Sequence, residues 1–315
     1  MPTHNRQQLL EEAVGSVQKQ SFSAWEAIIV DDASAPPAVC MPAPRSAQPI
    51  RVLRHDSSQG GAAAKNTGAA VATGDYLAFL DDDDLYHPEY LARAVEVLDG
   101  DEGLDVLFMG VGWFGANAVQ SGKAHDESVL RILSSAESAP AAPNVFWWRA
   151  YDLLSALLRG VPMPFQRPVV RRRVFERIGA YRKDCLLWDC EWALRAAIGA
   201  RCALLNEPLY LQRAEGQGLF SRRDRQRGHI ESAAEMVLDL YRALPPDAPD
   251  IVRELLRGAA SRNAEDLAFF LSGNGDLLGA LRASWRAQLI EPSLGRLKLP
   301  VASMVRSIRG MVRQT

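Results

Sequence analysis

The sequence predicts an α/β protein: an open sheet that gathers carboxylates at the ends of its strands, followed by a helical C-terminal region. Three observations carry this. Two short apolar β-type runs, Ala27–Val30 and Tyr76–Leu80, each end in consecutive aspartates, Asp31-Asp32 and Asp81-Asp82-Asp83-Asp84. Between them Gly60-Gly61 opens a stretch of small residues, Ala62-Ala63-Ala64-Lys65-Asn66-Thr67-Gly68, with helical character. In the last hundred residues apolar side chains recur at helical spacing. Ligands of open α/β sheets sit beyond the carboxyl ends of the strands, where both aspartate clusters fall.

The elements follow in order. Residues 35–49, rich in Pro and Ala, read as a loop after the first aspartate pair. The glycine pair lets the backbone approach a ligand or take a positive φ. It is not a Walker A loop, because no Gly-Lys-Ser/Thr follows, and it is not a dinucleotide fingerprint. A nucleotide fold without either phosphate loop points to a metal as the phosphate anchor. The chain turns at Tyr86-His87-Pro88 and starts a helix near Pro88. Val106–Val111 reads as a further strand. Residues 112–165 read as a less regular, loop-rich stretch. Their Trp113, Phe114, Trp147 and Trp148 suit stacking on sugar rings or filling a core. Arg171-Arg172-Arg173 reads as a solvated helix start or as a face for an anionic ligand. Ala203–Leu205 is a closing strand. Helices are expected over 231–244, stopped by Pro245-Pro246, and over 249–272 and 276–290. The final stretch, 297–312, places Val301, Met304, Val305, Ile308, Met311 and Val312 near one face, with Lys298, Arg306, Arg309 and Arg313 beside them. Such a tail suits peripheral contact with an anionic membrane, or packing on its own domain.

Four adjacent aspartates repel one another unless they are solvated or neutralised by a cation. Carboxylate oxygens are hard ligands for Mg²⁺ or Mn²⁺, which commonly share their coordination with substrate phosphates. The alternative is a solvated acidic turn ahead of the next helix. The second strand ending in Asp-Asp favours the metal–diphosphate reading.

The ordered motifs resemble family 2 glycosyltransferases of the GT-A fold. They are Pro2-Thr3-His4-Asn5-Arg6, then Trp25–Ser34, Gly60–Gly68, Ala72–Asp84 and Pro88–Leu91, then Arg173–Gly179 and Trp188-Asp189-Cys190-Glu191-Trp192. The resemblance spans about residues 1–215. It implies a mixed sheet flanked by helices. It implies an Asp-x-Asp metal pair, Asp81 and Asp83, with Asp83 the direct contact, and Mn²⁺ or Mg²⁺ as cofactor. Pro2, Thr3, Asp32, Lys65 and Asp82 fall at nucleotide-sugar positions. Asp32 matches the carboxylate that reads the base, where accepting the N3–H of uracil or thymine favours UDP- or dTDP-sugars. Asp189 matches the general base; taken alone it also reads as a helix N-cap, and Glu191 is the second candidate.

Three departures accompany the resemblance. The family has an apolar strand ahead of the Pro-Thr motif, whereas this chain opens at Met1-Pro2. The expectation is an upstream start or a sheet missing its first strand. After Leu209-Tyr210-Leu211 many relatives carry a histidine; here Gln212–Gln217 has none, leaving Glu215 or Gln217 as substitutes. Finally, four aspartates in a row leave the register of the metal pair open by one.

The expected organisation is a GT-A domain over 1–225 and a helical extension over 226–315. The expected function is inverting transfer from a UDP-sugar to a hydroxyl of a saccharide or lipid-linked acceptor, in bacterial surface polysaccharide or glycoconjugate synthesis. Alternatives are an inactive GT-A binding module and a metal-dependent nucleotidyltransferase. At 315 residues the chain can bury a full core. A net charge of −2 implies no nucleic-acid partner. No apolar stretch reaches the length of a membrane span, and residues 1–20 lack the apolar core of a secretory signal. The expected location is the cytoplasm, at most peripheral to the inner face of the membrane. Cys40, Cys185, Cys190 and Cys202 lack metal spacing and read as reduced structural residues.

Overall fold

A computed structural model describes residues 1–39, 48–215 and 226–293. The chain divides into two compact units, Met1–Asp184 with Trp188–Gly218, and Cys185–Leu187 with Leu219–Thr315.

The first unit runs β1 (Pro2–Thr3), α1 (Gln7–Gln18), β2 (Ala27–Asp31), β3 (Ile50–Arg54), α2 (Gly61–Val71), β4 (Tyr76–Ala78), β5 (Leu85–Tyr86) and α3 (Tyr90–Gly100). It continues with β6 (Val106–Phe114), α4 (Ala118–Leu133), β7 (Glu137–Ala139), β8 (Ala142–Trp147), α5 (Asp152–Leu157) and a 3-10 turn (Met163–Gln166). It closes with β9 (Pro168–Arg171), α6 (Arg172–Ile178), α7 (Trp188–Gly199) and β10 (Cys202–Arg213). One sheet is parallel, in the order β1-β2-β3. The other is mixed, in the order β4-β9-β6-β10-β8-β7, with β5 paired to β10.

Register sets the site. Ile29 and Val30 of β2 are wholly buried, and β1 lies beside them with Pro2 opposite Val30 and Thr3 opposite Asp31. Thr3 is thereby delivered to the aspartate end of β2. Gly60 has φ 87°, a conformation that favours glycine, and α2 starts directly after it. The helix lies close on β2, since a Cβ at Gly68 would stand 3.5 Å from Val30 Cγ2. Tyr90, Ala94 and Leu98 repeat every four residues along α3, and all three are fully buried. β1 is only two residues long. Beside it, a cavity of about 680 Å³ is lined by Ala27 and Ile28 of β2 and Tyr76–Ala78 of β4.

β6 and β10 are the parallel centre of the mixed sheet, and their register shifts between Leu205 and Tyr210. Pro208 has no N–H to give to a ladder, and the irregularity spans it. Gly110 of β6 faces it: a Cβ there would come within 2.3 Å of the Glu207 carbonyl oxygen.

Some expectations need correction. The apolar run 76–80 is strand only to Ala78; Phe79 turns into the core against Phe175 and Tyr181. Residues 112–165 are not irregular loops, because they hold the end of β6, α4, a β7–β8 hairpin and α5. Residues 40–47 of the expected loop, with Cys40, lie outside the described residues.

The second unit contains α8 (Gln226–Arg242), α9 (Asp250–Gly273) and α10 (Leu277–Ile290). Ala234, Leu267, Ala268, Leu271, Ala280 and Ala283 form its core, where small side chains let the helices approach closely. The Asp276 side chain caps α10 by accepting from the Gly279 N–H. None of the described helices is long and apolar enough to cross a membrane. The basic tail 297–312, on which the membrane expectation rested, lies outside the described residues.

Candidate functional site

The four aspartates that follow β4 alternate in exposure. The Asp81 and Asp83 side chains are 25% and 18% exposed, and those of Asp82 and Asp84 only 7% and 4%. The open pair is therefore 81 and 83.

Each buried member has its own anchor. Asp82 accepts a 2.8 Å hydrogen bond from the Thr3 hydroxyl and pairs with Arg6 at 3.2 Å. Asp84 accepts from the Tyr210 hydroxyl at 2.8 Å and from the Arg213 N–H at 2.9 Å. Of the open pair, Asp83 meets Arg6 at 3.0 Å. Asp81 meets the Lys65 ammonium at 2.6 Å and the Arg167 guanidinium at 3.2 Å. Lys65, itself buried, also lies 4.7 Å over the Trp188 ring.

These cations divide the cluster. Burial works against the charge on Asp81, but Lys65 and Arg167 hold its carboxyl well below the usual range. Burial raises Asp82 to about 6, with Asp81 and Asp83 adding to the rise. Burial raises Asp84 to about 7, and both burial and the Asp81 charge raise Asp83. Asp81 and Asp83 are the more exposed carboxylates of the four, and both Asp81 oxygens already meet cations, Lys65 and Arg167. Among the described residues no group of three or more His, Cys, Asp or Glu side chains forms a metal cage. The donor set thus fits a cation that completes its coordination with substrate phosphates.

The aspartates at the end of β2 are bound differently. Asp32 is 5% exposed, and each of its oxygens accepts two hydrogen bonds. One takes His55 Nδ1 at 2.7 Å and the Gln59 N–H at 2.8 Å; the other takes the Ser58 hydroxyl at 2.7 Å and the Gly60 N–H at 2.8 Å. These donors outweigh burial and bring Asp32 down to about 2. A carboxylate offers about four acceptor positions, so accepting the N3–H of a base requires one of these donors to yield. The expected base reader is thus also the anchor of the turn that launches α2. Nothing in the sequence marked His55 or Ser58.

Asp189 stands in the first turn of α7, where its carboxylate accepts from the Cys190 N–H at 2.8 Å. Its other partner is Arg167, whose Nη1 is 3.9 Å away. Glu191 points elsewhere: it is buried and clamped by Arg195 through bonds of 2.8–3.0 Å, leaving Asp189 as the more open carboxylate.

Arg167 was not marked by any motif. It is 4% exposed and also lies 3.8 Å from Asp84 and 5.0 Å from the Tyr210 ring centroid. Burial opposes its charge, yet Tyr210, Asp81, Asp84 and Asp189 together hold its pKa well above the usual arginine value. Its Nε makes no hydrogen bond among the described residues.

Other expectations fall away from this centre. Trp113 packs edge-on against His125, and Trp148 packs against Phe165 and donates to the Ile132 carbonyl. Arg171 is not a solvated residue: its guanidinium donates to the carbonyls of Leu98 and Leu104 and to the Tyr76 hydroxyl. Glu215 lies 3.8 Å from Arg213, and Gln217 is outside the described residues. Cys185 and Cys202 are buried and Cys190 is half-buried.

Known proteins resemble this chain in sequence and in fold. Residues 1–152 match the family described as glycosyl transferase family 2. Over 98 residues the chain is 30% identical to the Escherichia coli UDP-Glc:alpha-D-GlcNAc-diphosphoundecaprenol beta-1,3-glucosyltransferase WfgD, an alignment covering 31% of this chain and 39% of that one. The chain spans about a third of the length of the first curated relatives it matches. Among solved structures, Staphylococcus aureus TarS residues 1–349, also solved with UDP, superimposes with a TM-score of 0.62 at 14% identity, covering 99% of this chain and 90% of that one. The mannosyltransferase PcManGT from Pyrobaculum calidifontis, in complex with GDP-Man and Mn²⁺, gives 0.56 at 17% identity, covering 100% and 86%. The fold shared with these proteins is GT-A.

Proposed function

We propose that the chain, whose residues 1–152 match glycosyl transferase family 2, is a metal-dependent, inverting glycosyltransferase that moves a sugar from a UDP-sugar to a hydroxyl acceptor. One observation carries the reading most. Asp81 of the open pair and Asp189 border a single buried guanidinium, that of Arg167, so donor-side and acceptor-side acids share one centre.

In this reading the acceptor hydroxyl gives its proton to Asp189. Its oxygen bonds to the anomeric carbon as the bond from that carbon to the diphosphate oxygen breaks, and the electron pair departs with UDP. Attack from the face opposite the diphosphate inverts the centre. Lys65 and Arg6 supply fixed positive charge beside the diphosphate, while Pro2, Thr3 and Asp82 line the nucleotide side. A Mn²⁺ or Mg²⁺ held by Asp83, with Asp81 beside it, would neutralise charge gathering on the leaving diphosphate. Asp32 orders the 55–60 turn and faces the base when one of its four donors is displaced. The UDP-Glc and diphosphoundecaprenol in the name of WfgD support a UDP-linked donor and a lipid-linked saccharide acceptor. The process is then bacterial polysaccharide or glycoconjugate assembly.

The test is release of UDP from a panel of UDP-sugars, with and without Mn²⁺, by the native chain and by Asp189→Asn. The variant keeps the shape of the side chain but is a far weaker proton acceptor, and its turnover is expected to fall roughly 10²–10⁴-fold with UDP affinity nearly unchanged. Near-native turnover by Asp189→Asn removes the assignment of the base. UDP binding without release from any sugar nucleotide would favour a binding module instead.

A further inference from the structure

We propose that Arg167 is a positioning residue that holds the carboxylate of Asp189 in place relative to the donor-side aspartates. The proposal rests on the reading of Asp189 as the proton acceptor. The mount is rigid. The backbone of Arg167 follows the 3-10 turn Met163–Gln166 and donates its N–H to the Pro164 carbonyl. Phe165 in that turn is fully buried against Phe108 and Trp148. At the far end, one guanidinium nitrogen donates to the Gln166 carbonyl at 3.1 Å and stands 3.9 Å from Asp189. The other stands 3.2 Å from Asp81 and 3.8 Å from Asp84.

The three carboxylates depend on this guanidinium unequally. Asp81 also has Lys65 at 2.6 Å. Asp84 also has the Tyr210 hydroxyl and the Arg213 N–H. Asp189 has, besides Arg167, only the N–H of its neighbour Cys190 among the described residues. Loss of Arg167 therefore leaves Asp189 with the Cys190 N–H alone, whereas the other two keep their further partners. Among the described residues the buried Arg167 Nε makes no hydrogen bond, an uncommon state for a buried N–H. A planar fork with two separated donors can span Asp81 and Asp189 at once; a lysine ammonium cannot.

The experiment pairs crystal structures of Arg167→Gln and Arg167→Lys with kinetics on UDP-glucose, or on the most active UDP-sugar of the panel. In both variants the Asp189 carboxylate is expected to swing away, with Asp81 and Asp84 unmoved. Turnover is expected to fall by about 10- to 100-fold, the scale of a misplaced catalytic group, with UDP affinity nearly unchanged. Arg167→Lys retains the positive charge and covers the case in which Arg167→Gln does not fold. Added to Asp189→Asn, the arginine substitution is expected to cost no further turnover. An unmoved Asp189 overturns the proposal, as does a loss that multiplies fully with that of Asp189→Asn, or one that falls on UDP affinity. If Asp189→Asn alone keeps near-native turnover, the base assignment fails and this inference with it. If only the arginine variants stay active with Asp189 in place, this inference alone fails.

Discussion

The two aspartate clusters follow similar apolar runs and are built in opposite ways. At the end of β2, Asp31 accepts from the N–H groups of Ser34 and Ala38 and pairs with Arg54, while Asp32 fills both its oxygens with four donors. Those donors outweigh burial, and both carboxyls are pulled down, Asp32 to about 2. In the tetrad, burial and mutual repulsion outweigh the partners, and Asp82, Asp83 and Asp84 are pushed up. A carboxylate surrounded by N–H and O–H donors is at rest as an anion. A set of carboxylates crowded on one another is relieved by added positive charge. The first cluster is satisfied by donors within the fold, whereas the second is left crowded, as the proposed cation site requires.

Substitutions can break or sharpen this contrast. The largest effect is expected for Asp83→Ala: turnover should fall by about 10³-fold or more, roughly 4 kcal/mol in the barrier, because the proposed metal site loses a carboxylate. Its melting temperature should hold or rise, since repulsion is removed; a fall would move Asp83 into the structural class. Next is Asp32→Ala, which strands His55, Ser58 and two backbone N–H groups. It should destabilise the fold by about 3–5 kcal/mol by denaturant titration. If Asp32→Ala were silent in stability, the contrast would collapse.

Smaller effects separate the clusters by pH. Asp82 and Asp84 have raised folded-state values of about 6 and about 7. Between the ordinary carboxylate range and pH 7 the folded state thus binds more protons than the unfolded chain. Their contribution to stability falls as pH rises through that window. Asp32 has the opposite sign: its contribution is full above the ordinary carboxylate range and is lost only as pH falls toward 2. Melting temperatures in chelator-treated buffer should therefore show a downward slope from pH 4.5 to 7.5 that Asp84→Asn flattens. Added Mn²⁺ should stabilise more at the upper end than at the lower. The smallest change is Thr3→Val, which removes a single hydrogen bond to Asp82 and should cost about 1 kcal/mol.

Much of this was legible in the sequence, for physical reasons. The strand at 27–31, the helix after Gly60-Gly61 and the three C-terminal helices announce themselves through period and punctuation. β3 does not, because Ile50–Arg54 mixes two arginines with apolar residues and is only partly buried. α4 does not either, because its sixteen residues are largely polar and bury only Val129 and Ile132. Four identical aspartates cannot show which two face outward; their alternation depends on Thr3, Tyr210 and Arg213, which come from distant parts of the chain. Arg167 lies in an unremarkable Gln-Arg-Pro turn, and its importance exists only once residues 81, 84 and 189 are brought around it.

The close approach at Gly110 has a consequence for how this protein can vary. The β10 irregularity across Pro208 sits directly on that glycine, and just past it Tyr210 and Arg213 reach Asp84. Any side chain at 110 must push the Glu207 backbone outward and tilt that arm away from the tetrad. Position 110 is thus a closed door for drift and for directed evolution alike. An alanine there, conservative on paper, would be filtered out by a backbone carbonyl before any change in sugar preference could be sampled.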